Sequence, residues 1–140
     1  MRNNIVFVTA AMNARRSLEA EHFVAVSIEP EKSPSFEGVW YPKLAPPRTL
    51  LQAVTAGVID FDVFQVLFRK YLDTLDCRGI ARELRQLNPT MDRVALLDGD
   101  HFSSVHRRIV GDWLMRNGYE TDNLSVNYNK GLSHQGGLFE

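Results

Sequence analysis

The sequence predicts a single α/β domain with a mostly parallel sheet, and three observations predict it. Short apolar runs at Ile5–Val8, Phe23–Ile28 and Val94–Leu97 are continuous rather than alternating, as in strands buried on both faces. The stretches between them carry apolar residues at three- and four-residue steps, the period of helices lying on such a sheet. Proline and glycine punctuate these runs and do not interrupt them.

Taken in order, Ile5-Val6-Phe7-Val8 is β-branched and aromatic and of strand length. The apolar run ends by Ala11, too short to span a bilayer and without a signal-peptide pattern, so a cytoplasmic location and no membrane partner are the default expectation. Asn13 to Glu21 reads as a short helix with its charges toward solvent, and His22 to Ile28 as the second strand. Five of the six prolines fall between Glu29 and Pro47, where helix cannot persist. A loop of that length is often functional.

Arg48 to Ala56 is expected to be helical and to stop at Gly57. Asp60 is a candidate N-cap for a helix whose apolar positions are Phe61, Phe64, Leu67, Phe68, Tyr71, Leu72 and Leu75. Gly79 to Leu87 continues as a further helix with Ile80, Leu84 and Leu87 inward, ended by Asn88-Pro89. Arg93 to Asp98 is the clearest strand. After a loop, a helix from Ser103 or Ser104 to Asn117 presents Val105, Ile109 and Trp113 on one stripe and stops at Gly118. A last strand is expected near Leu124-Ser125-Val126. The domain would thus span residues 1–126, Rossmann-like in its three layers, with 127–140 a polar tail, flexible or serving as an interaction arm.

Composition narrows the function classes. The 140 residues are 44% hydrophobic and 24% charged, with a formal net charge of −1, so no broad field draws the molecule to nucleic acid or membrane. Cys77 stands alone, which excludes an internal disulfide or a cysteine-based metal cluster; inside a helix it reads as a small core residue.

Chemistry can gather in one place. In an open parallel sheet, ligands bind beyond the carboxyl ends of the strands, where helix amino ends also point. The corner from Leu97 to Arg108 holds Asp98, Asp100, His101, Ser103, Ser104, His106, Arg107 and Arg108. Cations in a first helical turn are unfavourable by roughly 0.3–1 kcal/mol each. A bound phosphate or carboxylate would reverse that sign, receiving hydrogen bonds from backbone N–H groups, Ser103 or Ser104, and Arg107. The competing structural interpretation is that Asp98 or Asp100 caps the helix and neutralises the arginines in an ordinary ion-pair network. The two differ in sign. On the anion interpretation Arg107→Ala leaves the fold intact or steadier; as a partner of Asp98, Arg107 is needed for stability.

Weaker candidates are Arg15 and Arg16, which follow the first strand and could reach the same end of the sheet. Asp98, Asp100 and His101 have the residue types of a metal site but no second ligand cluster, so no metal is assigned. No glycine-rich phosphate loop and no nucleophile pair is present.

These residues also carry a resemblance. Leu44 to Leu51, Gly57 to Asp60, the helix with Phe68 to Leu72, and then Val94 to Asp98, Val105 to Leu114 and Gly118-Tyr119 resemble proteins of the DUF488 family. The resemblance implies a compact α/β domain of largely unassigned activity, with His106 and Arg107 at motif positions. The family's Cys-His-Arg triplet has Val105 in place of its cysteine here, which removes any thiol chemistry.

The functional expectation is a domain, enzymatic or enzyme-like, that binds a phosphate-bearing small molecule, a nucleotide or a nucleic-acid end at residues 98–108. Arg107 would hold the anion with Ser103, Ser104, His101 and Arg15. His106 would act as general acid or base, and Asp98 or Asp100 would orient it. No cofactor is identifiable, and a homodimer is compatible with the sequence. The alternative is a non-catalytic interaction module working through the proline-rich loop 29–47 and the C-terminal tail.

Overall fold

The structure is a computed structural model and describes residues 5–99 and 105–124. Its elements are β1 (Val6–Ala11), α1 (Arg15–Ala20), β2 (Val24–Ser27), β3 (Val39–Trp40), α2 (Arg48–Thr55), α3 (Phe61–Asp73), α4 (Cys77–Leu87), β4 (Arg93–Asp98), α5 (Val105–Arg116) and β5 (Thr121–Asn123). The five described strands form one sheet in the order β3-β2-β4-β1-β5, and every pairing is parallel. The three apolar runs of the sequence are therefore neighbours at its centre.

Because successive side chains of a strand point to opposite faces, the central strands feed two cores. Phe7, Val26, Val94 and Leu96 pack on one face with Phe68, Leu72, Ile80, Leu84, Ile109 and Trp113 from α3, α4 and α5. Val8, Ala10, Ala25, Ala95 and Leu97 pack on the other with Ala14, Leu18, Phe23 and Phe36. Helices thus cover both faces, which is what continuous apolar strands require.

The chain leaves β1 toward β2 on one side and leaves β4 toward β5 on the other. The connections thus lead to opposite sides from the adjacent, parallel β1 and β4, whose last residues, Ala11 and Asp98, stand side by side. Such a divergence opens a crevice at the carboxyl edge of a sheet.

Local signals explain most boundaries. Asp60 caps α3, its carboxylate accepting from the Val63 N–H at 2.9 Å. Gly57 and Gly118 take φ values of +77° and +91°, the left-handed turn that ends α2 and α5. His22 does the same after α1 at φ 71°, so β2 begins at Val24, two residues after the expected strand start at His22.

Other expectations shift. The last strand is Thr121–Asn123, three residues before the expected position, with residues 125 and 126 outside the described range. It is a polar edge strand paired only with β1, and apolar runs do not mark such strands. Leu87 is 57% exposed and Leu67 39%, against the inward expectation for both. Leu87 keeps the phase of Ile80 and Leu84 but is the final residue of α4. Leu67 lies off the Phe64–Phe68–Leu72 stripe.

The proline-rich stretch is anchored. Phe36, Tyr41 and Leu44 are buried, β3 pairs with β2, and a single 3-10 turn spans Pro42–Leu44. Tyr41 donates to Glu83, Lys43 pairs with the same carboxylate at 3.1 Å, and the Tyr71 hydroxyl donates to the Lys43 carbonyl at 2.8 Å. No helix among the described residues is long and apolar enough to cross a membrane.

Candidate functional site

Asp98 is the last residue of β4, in phase with Val94 and Leu96, so its carboxylate points to the face that α5 covers. It is 3% exposed, and a carboxylate at that depth persists only with partners. Two consecutive residues of α5 provide them. His106 Nδ1 lies 2.8 Å from one carboxylate oxygen, and Arg107 Nη1 donates to the other at 2.7 Å. Both side chains are buried, His106 at 5% and Arg107 at 1% exposure.

An ionised carboxylate only accepts, so the imidazole proton facing it sits on Nδ1. That leaves Nε2, which is buried and has no hydrogen-bond partner among the described residues. The ring is also held from behind, where Phe68 of α3 meets it edge to face with centroids 5.5 Å apart. Asp98 and Phe68 together fix the direction in which Nε2 points.

His106 lines a cleft of about 240 Å³ at the carboxyl edge. Asp98, Gly99 and His106 form its polar end, Pro30, Pro46 and Leu51 its apolar wall, and Glu29 and Thr55 complete the rim. Glu29 follows β2 and its backbone is fixed twice. Its N–H donates to Ser27 Oγ at 3.3 Å, and its carbonyl accepts from Trp40 Nε1 at 2.8 Å. The sequence reading did not single out Glu29. Its position just past the end of a central strand, where ligands of parallel sheets bind, is the signal that would have found it.

Of the expected site residues, Asp98, His106 and Arg107 come together. Arg107 does so as a partner of Asp98, the structural alternative, with Nη1 turned into the core toward β4. Arg15 is elsewhere: it pairs with Glu19 at 3.1 Å and lies over the Phe36 ring at 4.6 Å. There it borders a separate depression with Glu29, Ser33 and Ser35. Arg108 is exposed, and Asp100, His101, Ser103 and Ser104 lie outside the described residues. Among the described residues no three His, Cys, Asp or Glu side chains are grouped to hold a metal ion.

Cys77 is buried and its thiol is pushed up to about 11 by burial and by Asp76, which makes it a poor nucleophile. Comparison with family models, with curated proteins and with solved structures found no match to this chain. These comparisons neither support nor contradict the resemblance to DUF488 proteins.

Proposed function

We propose that this domain binds a small phosphate-bearing molecule, or the sugar-phosphate end of a nucleotide, in the cleft at the carboxyl edge of β4, and that His106 transfers a proton there. The observation that carries this reading is His106 itself: it lines the cleft, Asp98 and Phe68 fix its ring, and its Nε2 has no partner among the described residues. A rigid imidazole with one nitrogen committed to a carboxylate and the other open is the arrangement of a general acid or base.

Three features favour the ligand class. His106 is the second residue of α5, so the amino end of that helix, with its partial positive charge, reaches the same cleft. Glu29 on the rim accepts hydrogen bonds from hydroxyl groups, as a sugar supplies. The volume of about 240 Å³ is below the usual range of roughly 300–1,000 Å³ for whole drug-sized ligands, which favours a small molecule or one end of a larger one. Arg107 contributes by holding Asp98, and through it His106.

The test is thermal melting with ribose 5-phosphate, nucleoside monophosphates and inorganic phosphate, each on the parent and on His106→Asn. The asparagine amide overlays Nδ1 and keeps the bond to Asp98 while deleting Nε2. A ligand at a hundred times its Kd stabilises by about 2.7 kcal/mol, several degrees for a domain this size. The parent should show such a shift and His106→Asn should lose it with its own melting temperature nearly unchanged. Flat curves for the parent, with a stable oligomer or a captured protein partner, would instead favour an interaction module using loop 29–47 and the C-terminal tail.

A further inference from the structure

The opposite edge of the molecule carries a second feature that the cleft does not use. In α4, Arg78, Arg82 and Arg85 recur at steps of four and three residues, which places them within an arc of about 60° on the helix. The buried stripe of Cys77, Ile80 and Leu84 lies on a different face of the same helix. Arg78 and Arg82 are exposed. Beside Arg78, a groove of about 650 Å³ is lined by Asn117, Gly118 and Tyr119 from the turn between α5 and β5. This turn and the carboxyl end of α4 both lead into amino ends of strands, so the face lies toward the amino edge of the sheet, away from the carboxyl edge that holds His106.

The three guanidinium groups act on one point. Burial raises the Tyr119 phenol, Cys77 adds to that, and Arg78, Arg82 and Arg85 all pull it back down, so their fields overlap at its hydroxyl. The neighbouring carboxylates leave this charge only partly compensated. Glu83 is held by Tyr41 and Lys43, and Asp92 by Arg85 at 3.5 Å, while Asp76 borders the groove itself. No ion pair among the described residues engages Arg78 or Arg82. On a chain of net charge −1, this is a local patch and not a reflection of general basicity.

We propose that the Arg78–Arg82–Arg85 face of α4, with the Tyr119 hydroxyl at its edge, binds the sugar-phosphate backbone of a nucleic acid without reading its sequence. From Arg78 to Arg85 the helix rises about 10 Å, so its guanidinium groups can meet more than one phosphate of the same strand. Arginine and tyrosine side chains supply the donors that position such backbones. This inference is independent of the His106 cleft.

The experiment is fluorescence anisotropy with a labelled 20-base-pair DNA duplex and its single strand at 50 and 200 mM salt. The parent should bind in the micromolar range at low salt and weaken steeply with salt. Arg78→Glu/Arg82→Glu should bind at least tenfold more weakly, and Arg78→Gln/Arg82→Gln should lower the slope of log K against log salt by about 2. Arg16→Glu/Lys32→Glu, on exposed positions elsewhere, should have little effect. Circular dichroism melts of each variant separate lost binding from lost folding. The proposal is overturned if the parent does not bind at 50 mM salt, if the Arg16/Lys32 variant loses as much affinity, or if polyglutamate displaces DNA as well as unlabelled DNA does.

Discussion

Arg107 shows how one side chain's role depends on where its neighbours fold. In sequence it is a cation in the first turn of a helix, and the helix field alone makes its removal neutral or helpful. In the structure it is buried, and its Nη1 answers the carboxylate of Asp98. Removing it leaves Asp98 buried with His106 as its one remaining ion-pair partner among the described residues, and breaking a buried pair by deleting one side costs about 3–5 kcal/mol. Arg107→Ala should therefore lower the melting temperature by well over 5 °C, measured by circular dichroism; an unchanged or raised value would mean that the pair is not stabilising the fold. Asp98, in turn, was legible as a site residue because it ends the clearest strand. Its two partners were legible only as types, since nothing in a sequence says which of His106, Arg107 and Arg108 turns inward.

At the level of elements, periodicity located the helices well and depth poorly. Asp60, Gly57 and Gly118 mark boundaries by local chemistry, so they could be read directly from the chain. The two-residue β3 and the polar β5 could not, because each exists only through pairing with a strand distant in sequence. Phe68 illustrates what tertiary context adds: it is fully buried in the α3 stripe and also backs the His106 ring. Phe68→Ala should cost about 3–5 kcal/mol in denaturant melts, and a loss below about 1 kcal/mol would show that the pocket collapses freely. Gly111 is a second such case. A Cβ there would stand 1.9 Å from Asn123 Oδ1, the same oxygen that accepts from Thr9 Oγ1 at 2.6 Å. Gly111→Ala must displace the Asn123 side chain from its bond with Thr9 and should cost about 1–3 kcal/mol, although alanine is the better helix former.

For the whole molecule, buried acids set the response to alkali. Tyr41, Tyr71 and Tyr119 all have raised phenols, each mainly through burial, and the Cys77 thiol is raised from 9.0 to about 11. Above pH 9 the unfolded chain begins to lose these protons while the folded chain keeps them, so unfolding is favoured as pH rises. Stability should be full below about pH 9 and decline from there through 11, with up to about 3 kcal/mol from Cys77 alone. Melting temperatures at pH 8, 9.5 and 10.5 test this, and Cys77→Ser or Cys77→Ala should flatten the first part of the decline. The order of the strands has a further consequence, for synthesis. β1 is made early, yet its two neighbours are β4, beginning at Arg93, and β5, beginning at Thr121. At about 5–20 residues per second, an apolar strand with both edges open waits on the order of ten seconds for its second partner. A ribosome-bound chain halted before residue 93 should therefore be sticky and protease-sensitive, and one carried past residue 124 and clear of the exit tunnel should not.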